Sequence, residues 1–192
     1  SLFIVPKMNP QDGSSNNVTC GSIEHKMGIH GNATAVLNFD GAKGYLIGPE
    51  NEGLRCMFTF MNVARLGTAM QGVAAAELSY QGANLYARER LAMRALSGPV
   101  YPEKPADPII VHPDVRRMLL TQRAIAEGGR ALIYFCTLQS DVLHSTEDEK
   151  VRKETDAVMS VLTPIAKAFL TETGYEAANH GVQVFGGHGY IA

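Results

Sequence analysis

The sequence predicts a mainly α-helical protein, in which the remnant of a β-domain precedes an antiparallel bundle of long helices. Two observations carry this prediction. Before Pro49, short runs of β-prone residues alternate with turn-forming glycine, asparagine and aspartate. After it, the stretch from Asn51 to Met93 holds no proline and is rich in residues that favour helices. We therefore expect the incomplete end of a β-domain over residues 1–50 and a helical bundle over residues 51–192.

The composition is that of an ordinary globular protein. Of the 192 residues, 45% are hydrophobic and 19% are charged, and the net charge of -2 gives no general attraction to nucleic acid or anionic lipid. No apolar run reaches the ~20 residues that a membrane span needs. The three cysteines, Cys20, Cys56 and Cys136, are too widely spaced to suggest a zinc site or a disulfide framework. Each is expected to be a small buried residue in a protein of a reducing compartment, the cytoplasm.

The first 50 residues indicate several short strands joined by turns. The opening "SLFIV" is a β-prone run closed by Pro6, and the composition of residues 13–17 is that of a loop. Strand-forming residues return in "VTCGSI", "NATAVLNF" and "YLIG", with the turn-rich "DGAKG" between the last two. Because about 50 residues bury little surface, we expect partner strands upstream of residue 1.

The first long helix should follow Asn51. Its apolar stripe is expected at helical spacing, and the helix should end between Met93 and Ser97. The residues of that stripe are Val63, Leu66, Met70, Val73 and Ala74. The next stretch, "SGPVYPEKPADPIIVHP", carries five prolines and predicts an extended loop.

Two further helical segments follow the proline-rich loop. Pro113 fits the first turn of a helix that runs to about Leu143, with an inner face that begins at Val115, Met118, Leu119 and Gln122. Thr146 and Glu149 match a capping box for the next helix. Pro164 predicts a kink or a restart, with the last helix running from there to about Gln183.

The chain closes on a glycine cluster, "VQVFGGHGYIA". A dinucleotide-binding fingerprint requires a strand before the glycines and a helix after them, and neither is found in the sequence given. Gly186 is suited to end a helix as a left-handed cap. The backbone N–H groups of such a turn are also able to hold a phosphate. The pattern alone leaves both interpretations open.

Three stretches, read in order, resemble the acyl-CoA dehydrogenase family. They are "IEHKMGIHGNATAVLNF", the helix-forming segment from "NEGLRC" to "YARER", and "GVQVFGGHGY". Each motif is modest, but together they cover nearly the whole chain in the family's order. The proline-rich "EKPADPIIVHPDVRRMLL" is further similar to the subgroup that includes 3-methylmercaptopropionyl-CoA dehydrogenase.

The resemblance implies an FAD site shared between subunits. Gln183, Gly186 and Gly187 would contact the FAD of a neighbouring subunit, and Arg90 would hold its pyrophosphate. Arg65 matches an arginine that orients the acyl-CoA substrate. The family's Phe-Gly after the "ER" pair is missing here, so Arg94 is a second candidate for the pyrophosphate. The histidines at 30 and 188 are expected to have no catalytic role, and no metal site is expected.

The reaction implied is α,β-desaturation of an acyl-CoA thioester by a homodimer or homotetramer, with an electron-transfer flavoprotein as acceptor. The family's catalytic glutamate usually lies beyond the glycine turn, and the minority position is Ala64 here. We therefore expect a fragment with no catalytic residue of its own, inactive alone. Two alternatives stay open: a non-catalytic helical module for oligomerisation or acyl-CoA binding, and an acyl-CoA oxidase of the same architecture.

Overall fold

The computed structural model of the chain describes residues 1–191 and is mainly α-helical, which confirms the predicted fold class. The chain divides into two compact units, Ser1–Met61 and a second unit that begins at Asn62. The division falls inside the first long helix, α1 (Gly53–Glu89). The expected domain boundary after residue 50 stays a prediction.

The first unit contains four short strands, β1 (Leu2–Ile4), β2 (Val18–Ile23), β3 (Ala35–Phe39) and β4 (Tyr45–Ile47). They form two separate antiparallel pairs, β1 with β4 and β2 with β3. Nearly all their side chains are at least partly exposed, as expected of two-stranded ribbons that cannot enclose a core. The several short strands predicted for this region are therefore confirmed.

The expectation of three buried cysteines is correct only for Cys136. Its side chain is fully buried within the helical unit, and burial raises the pKa of its thiol. Cys56 is half-buried and Cys20 is exposed. Cys20 lies on β2, where a two-stranded ribbon leaves side chains accessible to solvent on its faces.

The second unit contains the part of α1 from Asn62 onward and two more long helices, α2 (Pro113–Ser145) and α3 (Glu149–Phe185). Ser79 of α1 and Gln122 of α2 are hydrogen-bonded, and further along α2 Gly129 lies against Val73. These pairs show that α2 runs antiparallel to α1. α3 then runs antiparallel to α2 and parallel to α1, so the antiparallel succession predicted from the sequence is confirmed.

The face that α1 buries differs from the predicted stripe. Val73 is buried and Leu66 is half-buried, but Val63 and Met70 are 64% and 39% exposed, and Ala74 is exposed. The buried face consists instead of Ala69, Val73, Ala76, Ala83 and Ala87. Alanine allows the helices to approach closely, so large apolar side chains are a poor guide to this interface. On α2 the predicted inner face is correct, with Met118, Leu119 and Gln122 buried.

Several helix ends also differ from their predicted positions. α1 ends at Glu89 because the chain then pairs Leu91 with Pro108 and turns at Met93, whose φ is +60°. The side chain of Asp148, and not that of Thr146, caps α3 by accepting hydrogen bonds from its first N–H groups. Pro164 lies inside α3, which continues through it. The predicted restart there is wrong because the buried residues flanking Pro164 keep that helix packed in the bundle.

Candidate functional site

The glycine turn at the end of α3 stops that helix. Gly186 has φ +59° and ψ -131°, and its N–H donates a hydrogen bond to the carbonyl of Gln183. Residues Gly186–Tyr190 then form a short 3-10 helix. The predicted helix stop is confirmed, but the value of ψ lies outside the left-handed helical region that a simple cap would adopt. Only glycine readily adopts this backbone conformation.

The turn presents accessible backbone. Gly186, Gly187 and Gln183 are all exposed. A Cβ atom added at Gly186 or Gly187 would meet no other atom within 4 Å. Gly189 has a different role, because a Cβ there would lie 2.5 Å from the carbonyl oxygen of Val182. The first two glycines therefore leave room for a ligand, whereas the third is required by packing.

Tyr86, near the end of α1, contacts this turn through its ring and its hydroxyl. Its ring lies 4.7 Å from that of Phe185, measured between centroids. Its hydroxyl lies 3.2 Å from Nδ1 of His188. Sequence reasoning missed Tyr86, and the available signal was its spacing of four residues before Arg90, which places both on one face of a helix.

Arg90 lies one turn beyond Tyr86, at the same end of the bundle as the glycine turn. Its N–H donates to the Tyr86 carbonyl at 2.8 Å, and its own carbonyl accepts from the N–H of Ile109 at 2.8 Å. Its side chain is exposed. Within residues 1–191 the guanidinium of Arg90 has no ion pair or hydrogen bond. The structure thus brings Arg90 and the glycine turn to the same end of α1.

Arg94 stabilises the proline-rich loop that follows α1. Its guanidinium donates to the carbonyls of Tyr101 at 3.0 Å and Lys104 at 2.6 Å, and lies 3.4 Å from Asp107. Because its guanidinium makes these contacts within the loop, Arg94 is less available than Arg90 to bind a ligand. The geometry favours Arg90 as the arginine that remains open to a ligand.

Asp107 is the centre of the proline-rich loop. Its carboxylate is fully buried and accepts hydrogen bonds from the N–H groups of Ala95, Val100 and Tyr101 at 2.8 to 3.2 Å. Burial raises the pKa of this carboxyl, but these three donors and the charge of Arg94 outweigh it and lower the pKa to about 2. Sequence reasoning missed this residue, which lies among prolines without any recognisable motif.

Arg65 lies far from this cluster. It lies on α1, 25 residues before Arg90, which directly follows the end of that helix, so the two are about 37 Å apart at the α-helical rise. Arg65 is half-buried, and its guanidinium lies 3.4 Å from Oδ1 of Asn62. The structure therefore does not bring Arg65 into the site formed by Arg90 and the turn.

The cluster at the end of α1 has the chemistry of an anion site. It offers an accessible guanidinium, two glycines open to close approach, and the amide of Gln183. A guanidinium pairs well with phosphate oxygens, so this arrangement fits a pyrophosphate. Residues 1–191 contain no group of three or more side chains able to hold a metal ion. No helix within these residues has the length and hydropathy of a membrane span.

Comparison with known proteins identifies the family. A family model described as the C-terminal domain of acyl-CoA dehydrogenases matches residues 51–192. The chain therefore belongs to the acyl-CoA dehydrogenase family, and the resemblance found in its motifs is confirmed.

Two curated relatives show how the chain fits within this family. It is 45% identical over 195 residues to the 3-methylmercaptopropionyl-CoA dehydrogenase of Ruegeria pomeroyi, covering 100% of this chain and 32% of that protein. It is 34% identical over 203 residues to a butyryl-CoA dehydrogenase of Syntrophomonas wolfei, covering 100% of this chain and 33% of that protein. The chain thus spans about a third of the length of these relatives. The first agrees with the subgroup that the proline-rich stretch indicated.

Solved structures share the fold. ACDH-11 of Caenorhabditis elegans, in complex with C11-CoA, matches with a TM-score of 0.82 at 19% identity, over 100% of this chain and 30% of that chain. Butyryl-CoA dehydrogenase of Megasphaera elsdenii matches with a TM-score of 0.69 at 20% identity, over 98% of this chain and 46% of that chain. At these identities the likeness establishes the fold alone.

Proposed function

We propose that this chain supplies one half of the flavin site of an FAD-dependent acyl-CoA dehydrogenase. Arg90, Gln183, Gly186 and Gly187 contact FAD that is bound chiefly by a neighbouring subunit. One observation carries the proposal: the open glycine turn lies at the same end of the bundle as the guanidinium of Arg90, which has no ion pair or hydrogen bond among residues 1–191. Tyr86 contacts both the turn and the backbone of Arg90.

The chain's own residues bind and orient the cofactor. Arg90 supplies a fixed positive charge for the pyrophosphate, because a guanidinium is permanently protonated and pairs well with phosphate oxygens. Gly186 and Gly187 allow the backbone to approach the dinucleotide closely. The amide of Gln183 adds a donor and an acceptor at the same edge. When bound, FAD supplies the acceptor for the hydride removed from the substrate.

The acyl-CoA end of the site involves a different part of α1. We assign Arg65 to orienting the thioester substrate, on the strength of its position in the family motif. Its separation of about 37 Å from Arg90 means that the two arginines serve different sites in a homodimer or homotetramer. No proton-abstracting residue is assigned to this chain, whose minority position for the base is Ala64.

The reaction of the whole protein is the introduction of an α,β double bond into an acyl-CoA thioester. The names of both relatives, each an acyl-CoA dehydrogenase, support this assignment. We further assign an electron-transfer flavoprotein as the electron acceptor and the cytoplasm as the site of action.

The decisive experiment measures FAD binding and reduction in the full-length protein that carries this chain. We expect a flavin absorbance band that bleaches when a panel of acyl-CoA thioesters is added without an acceptor. Arg90→Gln should raise the dissociation constant for FAD about tenfold, the effect of losing one charge-assisted contact. Arg152→Gln is the matched control, because it changes an exposed arginine at the other end of α3 and should leave FAD affinity unchanged.

The possible results separate the parts of the proposal. Unchanged FAD affinity in Arg90→Gln would remove Arg90 from the site. A protein that binds no flavin would refute the enzyme assignment and favour a non-catalytic helical module. A reduced flavin that reacts rapidly with oxygen would instead favour an oxidase of the same fold.

A further inference from the structure

A cavity lies between α1 and α2, on a different face of the bundle from the glycine turn. Its volume is about 340 Å³, within the range of small-molecule sites. Three arginines line it, together with one amide and an apolar surface. The lining includes Tyr80 besides Arg88, Arg116, Arg123, Asn84, Leu119 and Leu120.

The cavity carries positive charge that the described residues do not neutralise. Arg123 is paired with Glu127, at 2.7 Å from Nε to the carboxylate. Arg88 and Arg116 form no ion pair with a carboxylate within residues 1–191. Two permanently charged guanidiniums therefore face the cavity without a counter-ion from this part of the chain.

In both Arg88 and Arg116, the Nε atom donates a hydrogen bond to a neighbouring group. Nε of Arg88 donates to Oδ1 of Asn84 at 3.2 Å. Nε of Arg116 donates to the carbonyl of Ile110 at 2.8 Å. These bonds orient each guanidinium and leave its two terminal nitrogens available. Such nitrogens bind phosphate oxygens in a fork, with both geometry and charge matched.

This cavity is separate from the half-site around Arg90. Asn84 and Arg88 lie on one stripe of α1, whereas Tyr86 lies on another, and Arg90 follows the end of the helix. Two residues of an α-helix that are two positions apart are related by a rotation of about 200° around its axis, so their side chains point in nearly opposite directions. The cavity therefore faces α2, whereas Tyr86 contacts the glycine turn after α3.

We propose that this cavity binds a small organic phosphate, that is, a phosphate monoester with an aromatic or aliphatic body. The terminal nitrogens of Arg88 and Arg116 take the phosphate. The apolar body lies against Leu119, which is buried, and Leu120, which is 66% exposed. The site is independent of the proposed flavin function and uses none of its residues.

The test is calorimetric titration of the 192-residue chain with phenyl phosphate, inorganic phosphate and phenol. Phenyl phosphate should bind more tightly than inorganic phosphate because its ring covers the leucines, and phenol should not bind measurably. Arg88→Gln and Arg116→Gln should each weaken phenyl phosphate binding about tenfold. Leu120→Ala should reduce the preference for phenyl phosphate over inorganic phosphate.

Two controls define specificity. Arg117→Gln removes the neighbouring arginine, which pairs with Asp114 and does not line the cavity, and should change nothing. Arg152→Gln changes an exposed arginine of α3 that does not line the cavity, and it should also leave phenyl phosphate binding unchanged. Thermal unfolding checks that each variant is folded. If a glutamine variant is not, the lysine variants Arg88→Lys and Arg116→Lys decide, with an expected loss of about threefold because lysine lacks the planar fork.

Three results would overturn the proposal. The first is no binding of phenyl phosphate by the unaltered chain. The second is a loss in Arg117→Gln equal to that in the cavity variants, which would show a general effect of charge. The third is binding unaffected by changes at both Arg88 and Arg116.

Discussion

The hydroxyl of Tyr86 lies 3.2 Å from Nδ1 of His188, and this contact joins the end of α1 to the glycine turn that follows α3. The ring of Tyr86 also packs against Phe185, the last residue of α3. Because the N–H of Arg90 bonds to the Tyr86 carbonyl, one residue contacts both the turn and the arginine proposed to share a ligand with it.

Removing the Tyr86 hydroxyl should loosen the proposed flavin half-site without unfolding the bundle. Tyr86→Phe keeps the ring against Phe185 and loses only the contact with His188. A neutral hydrogen bond is worth about 1 kcal/mol, so FAD affinity in the full-length protein should fall about threefold to fivefold. Flavin titration measures this effect. Tyr175→Phe, at a residue of α3 that is 76% exposed, is the control. Equal affinity in both variants would show that the turn does not need this contact.

The sequence predicted the elements of the fold better than their contacts. The helix start at Pro113 and the stop at Gly186 were predicted correctly because proline and glycine restrict or release the backbone locally. The buried face of α1 was misplaced because its contacts are made by alanine and glycine, whose burial depends on how closely another helix approaches. Pro164 was misjudged because packing of the whole helix outweighs one missing hydrogen bond.

The candidate site could be predicted only in part. Arg90 and the glycine turn came from motifs, and the structure adds that they lie at the same end of the bundle. The contribution of Tyr86 requires knowing that α1 and α3 run parallel and end together, which no local pattern reveals. Asp107 could not be found because its role depends on a loop whose N–H groups converge on a single carboxylate.

Asp107→Asn should destabilise the proline-rich loop in a pH-dependent way. The pKa of Asp107 is lowered from 3.8 in its ordinary state to about 2 in the folded chain, so its charge stabilises the fold above pH 4. That stabilisation is lost as the pH falls toward 2. At pH 7 we expect the variant's melting temperature to be about 3 °C lower than that of the unaltered chain.

The pH profile is the specific test of this role. The difference in melting temperature between Asp107→Asn and the unaltered chain should shrink as the pH falls from 4 to about 2. Asp156→Asn changes an exposed carboxylate of α3 and is the control, with little expected effect at any pH. A difference for Asp107→Asn that stays constant with pH would show that its charge contributes nothing.

Gln122 should be replaceable by a residue of similar length without loss of stability. Its side chain is fully buried, and Nε2 donates to Oγ of Ser79 at 3.0 Å and to the carbonyl of Ala177 at 2.8 Å. Its Oε1 has no donor within residues 1–191. In Gln122→Met the Ser79 hydroxyl still donates to the Ala177 carbonyl, at 3.1 Å, and the unpaired oxygen is gone.

We therefore expect Gln122→Met to change the free energy of unfolding by less than about 1 kcal/mol. Gln122→Ala, the control, leaves a cavity among three helices and should cost about 2 to 4 kcal/mol. Urea denaturation measures both variants. A large loss of stability in Gln122→Met would mean that a polar group, such as a buried water, bonds to Oε1.

The contact between Gly72 of α1 and Gly174 of α3 sets the closest approach of these two helices. A Cβ atom at Gly174 would lie 2.5 Å from the carbonyl oxygen of Gly72, and backbone cannot move aside as a flexible side chain would. Gly174→Ala should therefore force the helices apart and cost about 1 to 3 kcal/mol of unfolding free energy, as overpacking does.

The matched control is another helical glycine with the same substitution. Gly128 lies within α2, is exposed, and has no atom within 4 Å of an added Cβ. Gly128→Ala should stabilise the protein by about 0.5 to 1 kcal/mol because alanine loses less conformational entropy in a helix. Opposite signs for the two variants in urea denaturation are the expected result. Stabilisation by Gly174→Ala would show that α1 and α3 do not touch at this point.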